Sequence, residues 1–322
     1  EELILNDKLD NISCTKTAEV GVIQVIDNAA LKYIDFLKST VNISLEGMKI
    51  AVDCANGASY KVAPTVLEQL GADVVIIGGC PNGKNINYNC GSTHPEALQQ
   101  FVLESKADAG LAFDGDADRL IAVDDKGELV DGDKILAICG IYLKEKGMLS
   151  KNTVVATIMS NLGLDITLKK AGCNVVRTAV GDRYVLEKMV EDDYVLGGEQ
   201  SGHIIFRNHS TTGDGLVTAL QLLTVMVDKG QRLSDLSGIM KPLPQVLVNA
   251  RVKNNKKYDY INDEVIAKEI EEIQQRFKDQ GRVVIRPSGT EPLIRVMLEG
   301  TDKDYMEHHA QKLVRLIEER LA

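Results

Sequence analysis

A chain of 322 residues with 44% apolar content is long enough for several domains with ordinary globular cores. Lys and Arg number 37 against 47 Asp and Glu, a net charge of −10, which argues against a nucleic-acid-binding protein and leaves any anion to be held by particular arginines. No apolar run approaches the ~18 residues of a membrane span and no signal-peptide core is present, so neither insertion nor export is expected. Six scattered cysteines (Cys14, Cys54, Cys80, Cys90, Cys139, Cys173) without a C-x-x-C pair read as reduced thiols of a cytoplasmic protein.

The chain begins Glu1-Glu2 rather than with Met, which reads as a processed or excised piece, and residues 1 to 24 carry few periodic apolar positions, as a linker or the remnant of a preceding domain would. Ala29 to Leu37 places Leu31, Ile34 and Phe36 at near-helical spacing. Lys49-Ile-Ala-Val-Asp53 then reads as a buried strand, Asn56-Gly57 as its turn, and Val62, Val66, Leu67 and Leu70 as one face of a helix closed by Gly71 before a strand over Ala72 to Ile77. His94-Pro95 enters a further helix, and Gly91-Ser92-Thr93-His94-Pro95 is read as its turn and cap, since no base or oxyanion partner accompanies Ser92. Gly110 to Phe113 and Leu120 to Val123 are short apolar runs on either side of Asp114-Gly115-Asp116-Ala117-Asp118-Arg119.

The strand–turn–helix–strand layout recurs at Thr153 to Thr157, Asn161 to Gly163, a helix ending Ala171-Gly172, and Cys173 to Val176, which suggests a duplicated domain. Between the two copies, Asp131 and Asp133 could be a second metal pair, but capping of the helix that runs to about Lys146 is the commoner use of such residues. Glu199 to His203 forms a glycine-bracketed polar loop opening onto a strand, and Thr211 to Gly215 starts a helix with an apolar stretch, Leu216 to Val227. Past a boundary at Pro242 to Pro244 come a strand (Val246 to Val252), a charged amphipathic helix (Asp263 to Lys278), a strand (Arg282 to Ile285), a loop (Arg286 to Pro292), a strand (Leu293 to Leu298) and a last helix (Lys303 to Leu321). The expected fold class is therefore α/β: two similar α/β domains with mixed sheets and flanking helices, over residues 25–126 and 127–243, then a small α+β domain over 244–322.

Three carboxylates at alternate positions, Asp114, Asp116 and Asp118, repel one another unless a cation holds them, and their oxygens suit a hard one. An EF-hand is excluded because the sixth position is Arg119, the twelfth is Asp125, and strands flank the loop. A phosphatase that uses the first aspartate of a D-x-D as nucleophile is the harder rival; the third carboxylate and the arginine depart from that pattern. Arg286-Pro-Ser288-Gly289-Thr290 offers a tight turn, hydroxyl donors and a guanidinium, as phosphate binding requires, with Arg295 on the next strand; an ordinary Pro/Gly hairpin has the same composition. Glu199, Ser201 and His203 alternate on a loop where they could meet sugar hydroxyls, though a lone Glu or His there is more often structural. Thr178 to Arg183 has the look of a ligand-facing loop.

Taken together, these loops resemble the α-D-phosphohexomutase superfamily over essentially the whole chain, in that family's order and spacing. The resemblance implies Mg²⁺ on Asp114, Asp116 and Asp118, with Arg119 beside the transferring phosphoryl group. It implies Glu199, Ser201 and His203 at the sugar, and Arg286, Ser288, Gly289, Thr290 and Arg295 on the non-reacting phosphate. Gln200 in the sugar loop, Thr178 to Arg183 and Asn85 to His94 look most like the members that interconvert glucosamine 6-phosphate and glucosamine 1-phosphate, through a phosphoserine and a bisphosphorylated intermediate. Glucose or mannose phosphates, or a phosphosugar-binding module without chemistry, are the alternatives. The family's Thr-Ala-Ser-His-Asn-Pro loop is not found in the sequence, so the chain is expected to correspond to the last three of four domains and to be inactive alone. A phosphosugar such as glucosamine phosphate is the implied partner, with no nucleic acid and no membrane, and a homodimer is an allowed assembly.

Overall fold

The structure, a computed structural model, describes residue 6 and residues 21–278, 281–288 and 291–321. Most of the linker expected over residues 1 to 24, and Cys14, lie outside these. Helix α1 (Ala29–Ser39) precedes the first α/β unit: β1 (Lys49–Asp53), α2 (Val62–Gln69), β2 (Asp73–Ile77), α3 (Glu96–Ser105), β3 (Ala109–Phe113), β4 (Leu120–Asp124) and β5 (Leu129–Val130). The second unit holds α4 (Gly132–Glu145), β6 (Thr153–Thr157), α5 (Leu162–Lys170), β7 (Asn174–Thr178), α6 (Asp182–Glu191), β8 (Leu196–Gly198), β9 (Ile204–Phe206), α7 (Gly215–Lys229) and α8 (Leu233–Ser237). The C-terminal unit is β10 (Gln245–Arg251), α9 (Glu264–Phe277), β11 (Gly281–Pro287), β12 (Leu293–Gly300) and α10 (Lys303–Leu321). Helix α6 starts where the sequence shows only a ligand-facing loop ending at Arg183; Gly181, at φ 129°, turns the chain into it.

The first sheet runs β2-β1-β3-β4-β5 and the second β7-β6-β8-β9. In both, the first strand in sequence pairs in parallel with the two that follow it, and the third turns back into an antiparallel fourth. The two units therefore share one topology, and the β3–β4 and β8–β9 connections occupy equivalent places in it. Parallel strands buried on both faces read as unbroken apolar runs, which is why β1, β3 and β6 stand out in the sequence. The two units are not separate bodies. One apolar core takes Phe113 and Leu120 from the first, Ile135, Leu164 and Leu196 from the second, and Leu216, Leu220 and Leu223 from the helix between their hairpins.

Caps set the helix starts. Asp131 accepts from the Lys134 N–H, Asn161 from Gly163, Asp214 from Leu216 and Val217, and Asp263 from Val265 and Ile266. Asp131 is thus the cap of its pair, whereas Asp133 is fully buried and accepts the Asn161 N–H at 2.7 Å. Of the five described cysteines, Cys80 is exposed and the other four are buried.

The C-terminal sheet runs β10-β12-β11, antiparallel throughout, with a core of its own against α9 and α10. Its other face is built in cross-strand rows: Gln245–Glu299–Arg282, then Leu247–Met297–Val284, then Asn249–Arg295–Arg286. The first row is the attachment. Glu299, fully buried, pairs with Arg282 and accepts from Gln245 Nε2 at 3.0 Å and from the Leu162 N–H at 2.9 Å, at the start of α5. Arg282 donates to the Ser160 carbonyl, and the Asn161 amide closes both ways onto the Leu243 backbone.

Burial, then the charge of Asp131, pushes the Asp133 carboxyl up from 3.8 to about 7. A raised acid holds its proton better when folded, so this group costs the protein stability as pH rises from about 4 to about 7. The substitution Asp133→Asn, which keeps an acceptor for the Asn161 N–H, should therefore gain on the parent by a few kcal/mol between pH 5 and 8 in urea denaturation. A constant difference across that range would contradict this.

Candidate active site

Strand β3, with all five residues buried, delivers Asp114 to the carboxyl edge of the first sheet, where ligands gather in open α/β folds. The loop that follows is held on every side by backbone. Ser92 N–H donates to the Phe113 carbonyl at 2.9 Å, Ala58 N–H to Gly115 at 2.8 Å, Gly215 N–H to Ala117 at 2.9 Å, and Leu120 N–H to Gly202 at 3.0 Å. Two of these approaches need glycine: a Cβ on Gly57 would stand 2.3 Å from the Gly115 oxygen, and one on Gly215 would stand 2.5 Å from the Arg119 oxygen. Ala117 takes the left-handed conformation at φ 65°, which folds Asp118 back toward Asp114.

The outcome is convergence: one oxygen from each of Asp114, Asp116 and Asp118 lies within 4.8 Å of the others. Asp114 accepts the Arg119 N–H at 3.1 Å, and Arg119 Nε sits 3.7 Å from both Asp114 and Asp118. One guanidinium at that range only partly offsets three carboxylates. Burial first, and then the charges of Asp118 and Asp116, lift the Asp114 carboxyl to about 6 despite the Arg119 N–H. Among the described residues, Asp118 Oδ1 is buried with no hydrogen-bond partner. A hard divalent cation fits this donor set, since it would satisfy that oxygen and remove the repulsion.

The equivalent hairpin of the second unit meets this loop directly. His203 bridges to Arg119 through the backbone and faces Asp118 Oδ2 from Nδ1 at 3.1 Å, while its Nε2 accepts the Gly213 N–H at 3.1 Å. Glu199 accepts the Gly181 N–H at 3.1 Å, which draws the loop before α6 toward the Glu199–His203 loop. Gln200 donates to Asp131 at 3.2 Å, Ser201 is exposed, and the Gly202 Cβ position is filled by the Leu120 carbonyl, 2.2 Å away. Behind them, Tyr33 of α1 donates to Asp214 at 2.7 Å, so the cap of α7 is fixed from the N-terminal helix.

Arg286 and Arg295 lie on the C-terminal sheet's last row, directly opposite one another, beside a small cavity of about 40 Å³ shared with Met159, Leu247, Val284 and Met297. Like charges in that register destabilise a sheet unless an anion joins them. Arg295 has Glu291 at 3.5 Å; Arg286 has no carboxylate partner among the described residues. Ser288 is buried, its hydroxyl accepting the Glu291 N–H at 3.2 Å. Gly289 and Thr290 lie outside the described residues. Two neighbours escape sequence reading. Asn249 completes the arginine row, and Lys257, 7% exposed, donates to the Ser288 carbonyl at 2.6 Å and the Glu291 carbonyl at 3.3 Å. In the run Lys253-Asn-Asn-Lys256-Lys257 nothing local marks which lysine is buried.

Two matched α/β units whose equivalent hairpins join at an acidic loop, with an antiparallel sheet carrying paired arginines, define a class of phosphohexomutase-like folds. Family profiles agree: phosphoglucomutase/phosphomannomutase alpha/beta/alpha domain II matches residues 31–127, alpha/beta/alpha domain III matches 131–243, and the C-terminal domain matches 247–316. The chain belongs to the phosphoglucomutase/phosphomannomutase family. It is 57% identical over 320 residues to the phosphoglucosamine mutase of Acetivibrio thermocellus, covering 99% of this chain and 71% of that protein. It is 59% identical over 296 residues to that of Ruminiclostridium cellulolyticum, covering 92% and 66%. Among solved structures, the Aspergillus fumigatus N-acetylphosphoglucosamine mutase in complex with GlcNAc-6P and magnesium shares the fold at a TM-score of 0.74 and 20% identity, over 92% of this chain and 67% of that one. A Burkholderia thailandensis phosphoglucomutase/phosphomannomutase family protein does so at 0.72 and 21%, over 90% and 64%.

Because Asp114 titrates near 6, a proton competes with any cation there as pH falls. Mg²⁺ affinity measured by calorimetry should be full above about pH 7 and weaker by about fourfold at pH 5.5. An affinity unchanged over that range would contradict a raised Asp114 serving as ligand.

Proposed function

We propose that this chain carries the metal-, sugar- and phosphate-holding parts of a phosphoglucosamine mutase, which interconverts glucosamine 6-phosphate and glucosamine 1-phosphate. The observation that supports this most is the convergence of Asp114, Asp116 and Asp118 around an unpartnered Asp118 oxygen, joined directly to the sugar loop. The donors are all carboxylate oxygens, the set Mg²⁺ takes. Bound there, Mg²⁺ supplies positive charge against a transferring phosphoryl group, the main requirement of that chemistry.

The remaining roles belong to side chains of this protein. Arg119, its side chain 40% exposed beside the cluster, is placed to pair with the transferring phosphoryl group. Glu199 and Ser201 are assigned to sugar hydroxyls. Arg286 and Arg295, opposed on one row, are assigned to the phosphate at the far end of the sugar, with Ser288 shaping the loop and Gly289 and Thr290 contributing by resemblance. Gripping that phosphate without reacting lets either end of the sugar face the cation in turn. The serine that carries the phosphoryl group is not found in these 322 residues in its Thr-Ala-Ser-His-Asn-Pro setting, so turnover is proposed to require that unit.

Incubated with Mg²⁺, glucosamine 1-phosphate and glucosamine 1,6-bisphosphate, this chain should give no glucosamine 6-phosphate until the serine-bearing unit is joined to it; turnover by the chain alone would overturn the divided-site reading. Arg286→Ala should weaken glucosamine 6-phosphate binding by about 10- to 100-fold in calorimetry, the loss expected for a charge-assisted pair of hydrogen bonds. Equal binding would remove the phosphate assignment.

A further inference from the structure

We propose that His203 is a positioning residue of the metal centre, whose Nδ1–H holds one oxygen of Asp118 so that the other faces the cation. This rests on the reading of Asp114, Asp116 and Asp118 as ligands and adds the residue that orients one of them. The backbone assigns the tautomer. Gly213 N–H can only donate, so Nε2, 3.1 Å from it, is the acceptor, and the ring proton of the neutral imidazole is on Nδ1. Nδ1–H then donates to Asp118 Oδ2 at 3.1 Å. Both ring nitrogens are spent on the protein, and the residue is 4% exposed, which leaves a sugar hydroxyl no polar atom to meet.

The ring cannot swing away from this duty. A Cβ on Gly213 would stand 2.4 Å from Nε2, so the ring lies flat against a glycine backbone. The backbone of His203 is bridged to Arg119, and its carbonyl accepts the Glu199 N–H at 3.0 Å. The other carboxylate near the ring, Asp182, is 3.9 Å from Nε2, beyond hydrogen-bonding distance, and 60% exposed. What the arrangement leaves over is Asp118 Oδ1: buried, without a hydrogen-bond partner among the described residues, and with Arg119 Nε no nearer than 3.7 Å. An oxygen buried without a partner, on a carboxylate whose other oxygen is pinned, suits a cation ligand. The sugar loop thus lends the metal loop a ligand-orienting residue across the junction of the two units.

The test compares two substitutions with wild type by Mn²⁺ titration and thermal melting. In His203→Asn the amide nitrogen takes the place of Nδ1 and still donates to Asp118; in His203→Gln the amide extends to the place of Nε2 and serves Gly213 instead. The Asn variant should keep Mn²⁺ affinity within about threefold of wild type, and the Gln variant should lose about 10- to 100-fold, the usual cost of removing an outer-shell partner. Thermal stability need not follow the same order, and a merely structural histidine would show affinity losses that do. If wild type binds Mn²⁺ and the Gln variant binds equally well, or if the Asn variant loses as much as the Gln variant, this inference fails while the metal reading stands. If wild type itself does not bind Mn²⁺, the metal reading fails and takes this one with it.

Discussion

Three carboxylates whose oxygens approach within 4.8 Å repel one another, and the architecture around them answers that repulsion. A flexible loop would spread them apart. Here the loop cannot spread, because its carbonyls are taken by N–H groups of Ser92, Ala58 and Gly215, and Leu120 at its far end is tied to Gly202. These partners come from different stretches of chain, the Gly202 carbonyl from the second unit's hairpin and the Gly215 N–H from the first turn of α7. Asp114 is raised, by burial first and by its neighbouring carboxylates, and Asp118 Oδ1 has no hydrogen-bond partner among the described residues.

The shared topology of the two units explains why the Asp114–Arg119 and Glu199–His203 loops meet. Sheets ordered β2-β1-β3-β4 and β7-β6-β8-β9 place their third-to-fourth strand connections at equivalent edges. With one shared apolar core, the two edges are brought face to face rather than left as separate clefts. The close approach is paid for in glycine: Gly202 against the Leu120 carbonyl, Gly215 against Arg119 and Gly132 against the Glu199 carbonyl leave no room for a Cβ. Glycine loses more chain entropy on folding than other residues, so its use at contacts this tight marks the junction as worth that cost.

The C-terminal unit is attached by different physics. It has its own core, and its bonds to the second unit run through the buried Glu299–Arg282 pair, the N–H of Leu162 and the Asn161–Leu243 exchange. Buried ion pairs add little net stability but fix geometry, since a misplaced partner leaves an uncompensated charge. Two residues further along each strand, the same face presents a short apolar row, and then the opposed arginines. One pleated face therefore sets both the attachment and the row of opposed arginines, in a fixed register.

Much of this was legible in the sequence because it is local. Asp114, Asp116 and Asp118 sit between two apolar runs, which a buried strand pair requires, and Asp131 and Asp263 immediately precede helical periodicity. The duplication showed as a repeated strand–turn–helix–strand pattern because parallel strands covered on both faces are unbroken apolar runs. Helix α6 was hidden because Thr178 to Arg183 reads as a loop up to its first turn. Spacing could not say that Asp133 is buried while Asp131 caps, or that Lys257 alone of its basic run lies beneath Ser288. Those outcomes depend on which surfaces other segments cover. His203 is the sharpest case: alternation on a polar loop places it beside Glu199 and Ser201, but its ring turns to Asp118, 85 residues away in the chain. The sequence by itself determined most of the elements, their repeat and the residues of each loop, since these follow from local periodicity and turn chemistry. Only the tertiary structure decided which loops meet and which atoms are left unpaired, because hydrogen bonds and burial between distant segments exist only once the two sheets share a core.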